Sequence, residues 1–213
     1  ILKQGGVVFG AGFDKEWNVC HQYAETAEDL DKLRRSKYVQ SDMGNTFRQA
    51  KNFLDQGRAV LFTGTPCQIA GLKNYLGKEY ENLLTADIIC HGVPSPAVWQ
   101  KFLAENFSNA PIAAIDFRDK TIGWDASYLS VTRQGEKSPS LPGLLRPFKK
   151  LFLARKGRLF RSLFRLSFSI SNLYERPSCH LCRMKDSRRA ADFTMGDLWG
   201  IQHICPSFYD PKG

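Results

Sequence analysis

No stretch of the chain stays apolar for anything near the roughly 20 residues that a membrane-crossing helix needs. No secretory signal opens it either: Ile1-Leu2 gives way at once to Lys3-Gln4-Gly5-Gly6. An initiator Met is also missing, and Tyr209-Asp210-Pro211-Lys212-Gly213 stops in turn chemistry, so the chain reads as a piece of a longer one. Acidic residues are absent over one long interval. Between Lys137 and Tyr174 there are nine Lys or Arg and no Asp or Glu, and the rest of the chain balances at 21 of each sign. The net charge of +9 therefore belongs to one insert, 137–174, which argues against a general nucleic-acid surface. That insert interleaves Phe148, Phe152, Phe160 and Phe164 with its charges. It suits an amphipathic excursion packed on the domain, or one that meets an anionic partner. A dinucleotide fingerprint is lacking too: Gly10-Ala11-Gly12 precedes no clear helix.

Six cysteines are present: Cys20, Cys67, Cys90, Cys179, Cys182 and Cys205. At 213 residues the chain is too large to need disulfide staples, and without a secretory signal a reducing cytoplasm is expected. Clustered cysteines there point to metal, cluster or redox work. Residues 59–68 read as an apolar strand, a Thr63-Gly64-Thr65-Pro66 turn and a helix starting at Cys67 and Gln68. Thr65 suits the N-cap and Pro66 the first helical position. Cys67 then lies at the positive end of a helix dipole and at the carboxyl end of a strand, where α/β sheets place chemistry. The bland alternative is a small buried hydrophobe. Leu83 to Ile89 repeats the arrangement: an apolar strand runs into Cys90-His91-Gly92, and Ser95 caps the next helix. Two parallel strands joined by one helix put Cys67 and Cys90 on the same sheet edge. Cys179-His180-Leu181-Cys182 offers two more sulfurs at a spacing that one metal or cluster corner can take. No second pair is nearby, so its missing ligands must come from afar, with Cys67 and Cys90 the natural candidates. Cys20 reads as core, and Cys205 has no evident role.

The remaining pattern predicts an α/β fold, a mixed sheet with flanking helices and the cysteine loops converging on one edge. Strands are expected at 5–13, 17–23, 59–62, 83–89, 112–118, 128–133 and near 193, and helices from Thr26, over 45–56, from Cys67 to Gly77 and from Ser95 to Asn106.

Several blocks together resemble the coenzyme F420 hydrogenase/dehydrogenase beta-subunit family. They are Gly5-Gly6-Val7-Val8-Phe9-Gly10, Ser36-Lys37-Tyr38-Val39-Gln40-Ser41, Phe62-Thr63-Gly64-Thr65-Pro66-Cys67-Gln68, Cys90-His91-Gly92-Val93-Pro94-Ser95, Phe117-Arg118-Asp119-Lys120 with Gly123-Trp124, Arg176-Pro177-Ser178-Cys179 with Cys182, and Gly196-Asp197-Leu198-Trp199-Gly200. They occur in the family's order and leave only the basic insert unmatched. The variant is similar to bacterial members carried near surface-polysaccharide genes.

The resemblance implies one oxidoreductase domain over 1–213, with a ferredoxin-like domain that commonly precedes it lying outside this chain. It implies FAD and a [4Fe–4S] cluster, with electrons or hydride passing between a carrier (F420-like or ferredoxin) and a small-molecule substrate. Relatives differ in substrate, from coenzyme F420 in methanogens to a chlorophyll derivative in a plant reductase. Carried over by residue, the cluster falls on Cys67, Cys90, Cys179 and Cys182, and flavin contacts fall on Gly5, Gly6, Ser36, Lys37, Tyr38, Gln40, Gly64 and Thr65. Arg118 and Lys120 become candidates for an anionic substrate, and His91 for tuning the cluster. Asp192 and Asp197 suit turn capping. Two alternatives stay open. One is a zinc-held, non-enzymatic module docking an acidic partner through the basic insert. The other is a Cys67 nucleophile with His91 as base.

Overall fold

The computed structural model describes residues 1–108, 111–120, 128–135, 174–184, 189–197 and 200–205. The expectations for the basic insert, Gly123-Trp124 and Leu198-Trp199 lie outside the described residues. β1 (Val7–Phe13) and β2 (Val19–Ala24) form an antiparallel hairpin. β3 (Val60–Gly64) joins β1 in parallel, β4 (Leu83–Ile88) joins β3, and β7 (Phe193–Met195) joins β4, giving the order β2-β1-β3-β4-β7. β5 (Ile112–Asp119) and β6 (Tyr128–Arg133) pair antiparallel as a second sheet. The helices are α1 (Thr46–Asp55), α2 (Pro66–Leu76), α3 (Pro96–Phe107) and two single turns, α4 (Pro177–His180) and α5 (Ile201–Ile204). The mixed sheet with flanking helices is the fold class that the sequence pattern implies. No helix among the described residues is long and apolar enough to cross a membrane.

Register explains the first core. Val7 lies opposite Val60 and Phe9 opposite Phe62, and all four are fully buried. The two Phe rings stack at 5.2 Å. Ala50 and Leu54 of α1 and Ile69, Leu72 and Leu76 of α2 close over them. Each such side chain contributes about 1.5–3 kcal/mol on burial. A second core gathers Val19, Val39, Trp99, Leu103 and Phe117 between the hairpin, α3 and β5. Trp99 anchors it, with its ring 4.7 Å from Phe117 and its indole N–H donated to the Trp17 carbonyl at 2.8 Å.

The helix expected from Thr26 is a short 3-10 turn, Glu28–Lys32. Its start forms as expected, with the Asp29 N–H donated to Thr26 Oγ1 at 3.2 Å. It goes no further because the chain turns at Arg35, whose φ of 70° is left-handed, and then runs extended into the second core at Val39. Cys20 is half-buried rather than core, and its sulfur accepts the Gln22 side-chain amide at 3.1 Å.

Candidate functional site

Parallel pairing puts the carboxyl ends of β1, β3, β4 and β7 on one edge of the sheet. At the end of β3, Thr65 is extended at the N-cap of α2 and Pro66 opens the helix. Gln68 reaches back to accept the Thr65 N–H at 2.9 Å, closing a capping box. Cys67 stands exposed in this first turn, its sulfur 3.2 Å from Thr65 Oγ1.

At the end of β4, Cys90 is half-buried, its thiol directed at the Gly92 carbonyl from 3.9 Å. Burial, partly opposed by the Gly92 contact and reinforced by the neighbouring Cys67, Cys179 and Cys182, pushes this thiol up to about 11. The Cys179–Cys182 segment is held there at both ends. Glu175 bridges Pro94, and the Arg176 N–H is donated to the Val93 carbonyl at 3.0 Å. After the loop, Arg189 donates to Asp87 Oδ1 and to the Ile88 carbonyl, each at 3.2 Å. Asp192 then accepts the Thr85 N–H and hydroxyl at 2.6 and 2.8 Å. Gly92 is required by the close approach: a Cβ there would lie 2.2 Å from the Glu175 carboxyl carbon. The donor set, four thiols from three separate segments, fits a cluster held by cysteines. Among the described residues no three His, Cys, Asp or Glu are gathered tightly enough to hold a single ion.

The residues expected to contact a flavin divide into two groups. Gly64, Thr65, Ser36, Lys37, Tyr38 and Gln40 belong to the carboxyl edge or to the segment crossing it. Gln40 donates its N–H to the Pro94 carbonyl at 3.1 Å, and Tyr38 packs edge-on against Phe117 at 6.0 Å. Gly5 and Gly6 lie at the opposite end of β1, where a Cβ on Gly6 would meet the Ala59 carbonyl oxygen at 2.6 Å. About five residues of strand, roughly 16 Å at 3.3 Å each, separate them from Gly64. Ser36 and Lys37 line a cleft of about 890 Å³. Ser36, Arg118 and Lys120 line a neighbouring cleft of about 610 Å³. Arg118 is ion-paired with Asp197 at 2.6 Å.

Two polar features were not singled out from the sequence. His21, buried and stacked on Phe62, donates Nε2–H to the Thr63 carbonyl at 3.0 Å, so its Nδ1 accepts the Ser41 hydroxyl at 2.7 Å. Ser41 in turn accepts the Gln68 amide at 2.8 Å. This chain of hydrogen bonds ties the turn before Cys67 to β2, and burial holds His21 below the ordinary imidazole value. Asp87 is fully buried, and its Oδ2 has no hydrogen-bond partner among the described residues. A lone acid inside the apolar run Leu83-Leu84-Thr85-Ala86-Asp87-Ile88-Ile89 was the available signal. His21 had none beyond its place in an alternating strand.

Residues 57–213 match the family model that describes the C-terminal part of the coenzyme F420 hydrogenase/dehydrogenase beta subunit. No curated protein matches the chain. Among solved structures, a chain of the F420-reducing [NiFe] hydrogenase complex from Methanosarcina barkeri is similar at 18% identity and a TM-score of 0.47, over 85% of this chain and 55% of that one. The present chain thus spans little more than half the length of that solved relative.

Proposed function

The chain belongs to the coenzyme F420 hydrogenase/dehydrogenase beta-subunit family, and from that premise we propose that it is the cofactor-bearing domain of a flavin- and [4Fe–4S]-dependent oxidoreductase subunit. The observation that carries this reading is that the parallel β3–β4 pair ends in Cys67 and Cys90 on one sheet edge, and that the segment leading to Cys179 and Cys182 is tied to the Val93-Pro94 stretch just after Cys90. These four would hold the cluster, which supplies one-electron transfer when bound. Gly64 and Thr65, with Ser36, Lys37, Tyr38 and Gln40, would face the flavin, and Gly5 and Gly6 would reach only a distant part of it. Arg118 and Lys120 would meet an anionic substrate from the second cleft, with Asp197 the carboxylate that such an anion displaces from Arg118.

The chain's own residues supply position and polarity. The His21–Ser41–Gln68 chain fixes the Thr65–Cys67 turn, and the Asp87–Arg189 and Glu175–Pro94 links fix the Cys179–Cys182 loop beside Cys90. Single electrons would arrive from an electron-carrier protein or a ferredoxin-like domain, in a cytoplasmic setting, and the domain would run over 1–213 with 137–174 as its insert. The alternative, a zinc-held binding module, asks the same thiols to surround one ion. Tetrahedral zinc would take them at Zn–S bonds of about 2.3 Å. Anaerobic purification of the full-length protein decides between them. A brown protein with about four irons, lost in Cys179→Ser or Cys182→Ser, is expected. A colourless, folded protein with stoichiometric zinc would overturn the cluster assignment.

A further inference from the structure

Two carboxylates serve the same strand, β4, and their surroundings differ. Asp192 is exposed, accepts the Thr85 N–H and hydroxyl, and lies 3.6 Å from Lys73 Nζ. Asp87, two residues along from Thr85, is fully buried. Its Oδ1 accepts one N–H from Arg189 at 3.2 Å, and its Oδ2 has no hydrogen-bond partner among the described residues. A buried carboxylate held by one contact costs stability, and a neutral side chain of similar size commonly serves a fold as well or better. Packing therefore gives no reason for an acid at this place.

Its position gives one. Cys90 follows Asp87 by three residues, and Cys67 follows its register partner on β3, Gly64, by three residues. Three residues reach at most about 11 Å, so Asp87 lies close behind the strand ends that carry both thiols. Charges inside a protein at such range are poorly screened from each other. Gly64 leaves polar neighbours on its flank: a Cβ there would meet Gln68 Oε1 at 3.0 Å and His21 Nε2 at 3.5 Å. Thr194 of β7 flanks Asp87 on the other side. The titratable and charged groups around Asp87 are thus Arg189 from the segment before β7, the paired Lys73 and Asp192 beside Thr85, and His21 beyond Gly64. The Arg189 side chain is 19% exposed, so it links the buried acid to water.

We propose that Asp87 is the proton-holding residue of this edge: it stands as a carboxylate paired with Arg189 while the edge is oxidised, and it takes one proton from solvent, past Arg189, as an electron arrives. The proposal rests on the reading of the four thiols as a cluster site. A one-electron donor is oxidised and the cluster reduced by that electron, while the proton forms an O–H bond on Asp87 Oδ2 and Oδ1 stays on Arg189. The edge gains one electron and one proton, and its net charge does not change. When the electron moves on, the O–H bond breaks and the proton returns to water. Full hydrogen bonding, as at Asp192, opposes protonation of a carboxylate, and Asp87 lacks it.

The test is the midpoint potential of the iron–sulfur signal in the full-length protein, titrated without air against dithionite between about pH 5 and 9. Where the proton is taken up, each tenfold fall in proton concentration should weaken electron binding up to tenfold, about 59 mV for one electron. Asp87→Asn keeps the shape and cannot take the proton, so its potential should stay flat with iron content unchanged. The reduced-minus-oxidised infrared spectrum of the parent should carry the C=O stretch of a newly formed acid, missing in Asp87→Asn. In the iron-free chain Asp87→Asn should hold or raise Tm. A loaded parent whose potential ignores pH, or a slope kept in Asp87→Asn, would overturn the proposal alone. So would an Asp87→Asn chain that fails to fold or to take up iron, since the acid would then be structural. A parent without iron would overturn it together with the cluster reading.

Discussion

The two ends of the parallel strands are built to opposite specifications. At the amino end the polar groups between the strands are spent on closing the fold. Asn82 donates its amide to the Leu54 and Arg58 carbonyls at 3.0 and 2.8 Å, and Val7 and Val60 take their backbone partners from Ala59 and Asn82. Gly6 is packed so closely that no side chain fits. At the carboxyl end the same strands finish in an exposed thiol, a half-buried thiol and a buried carboxylate with one oxygen unbonded among the described residues. One end spends its polar groups on closing the fold, and the other holds them in reserve. Strand ends with parallel neighbours leave backbone and side chains pointing out of the sheet, and that is where ligands enter α/β folds.

The sharpest way to break this contrast is at the carboxyl end. Cys182→Ser should abolish nearly all iron binding while leaving the stability of the iron-free chain within about 0.5 kcal/mol of the parent, as substitutions away from packed features do. A large loss of stability without iron would show the edge to be structural. At the amino end the pattern should invert. Gly6→Val puts a side chain onto the Ala59 carbonyl and should cost about 3 kcal/mol or more in denaturant unfolding. Asn82→Ala, which strands two carbonyls, should cost about 1–3 kcal/mol. In both, iron bound per folded molecule should not change.

His21 offers a test by pH. Its imidazole is held below 6.5 by burial, so below that pH the unfolded chain binds the proton more readily than the folded one. Its contribution is present above 6.5 and is lost as the pH falls. Tm should therefore drop between pH 7 and 5 more steeply in the parent than in His21→Gln, and equal slopes would show the imidazole to be free to titrate in the fold. The smallest effect is expected for Ser95→Ala. It removes the oxygen that accepts the Val98 N–H at 3.3 Å and should cost about 1 kcal/mol, with iron content unchanged.

Local chemistry made much of this legible in advance. The Thr65-Pro66 and Ser95-Pro96 helix starts, the Gly57 and Gly77 stops and the strand ends at Cys67 and Cys90 all follow from signals that act over a few residues. The strand over 128–133 falls where it was expected, and the strand expected over 59–62 runs on through Thr63 and Gly64, which pair with Ala86 and Asp87 of β4 rather than turning. The Thr26 segment misled because its capping pair forms as read, yet the packing of the next residues on the second core stops the helix after five. Gly5 and Gly6 misled in another way. Glycine reports that something comes close, not what, and at Gly6 the neighbour is the chain's own Ile1 and Ala59.

The sequence by itself determined most of the elements and the two cysteine-bearing turns, because caps, turns and periodicity are written in neighbouring residues. Tertiary structure alone decided which distant pieces meet. It brought Glu175 under Gly92, Arg189 to Asp87 and His21 to Ser41 and Gln68, and it set Trp17 and Arg35 along one cleft. Those meetings depend on the pairing of β4 with a strand more than 100 residues away and on the packing of one sheet on another, and no pattern within a short window of sequence encodes them.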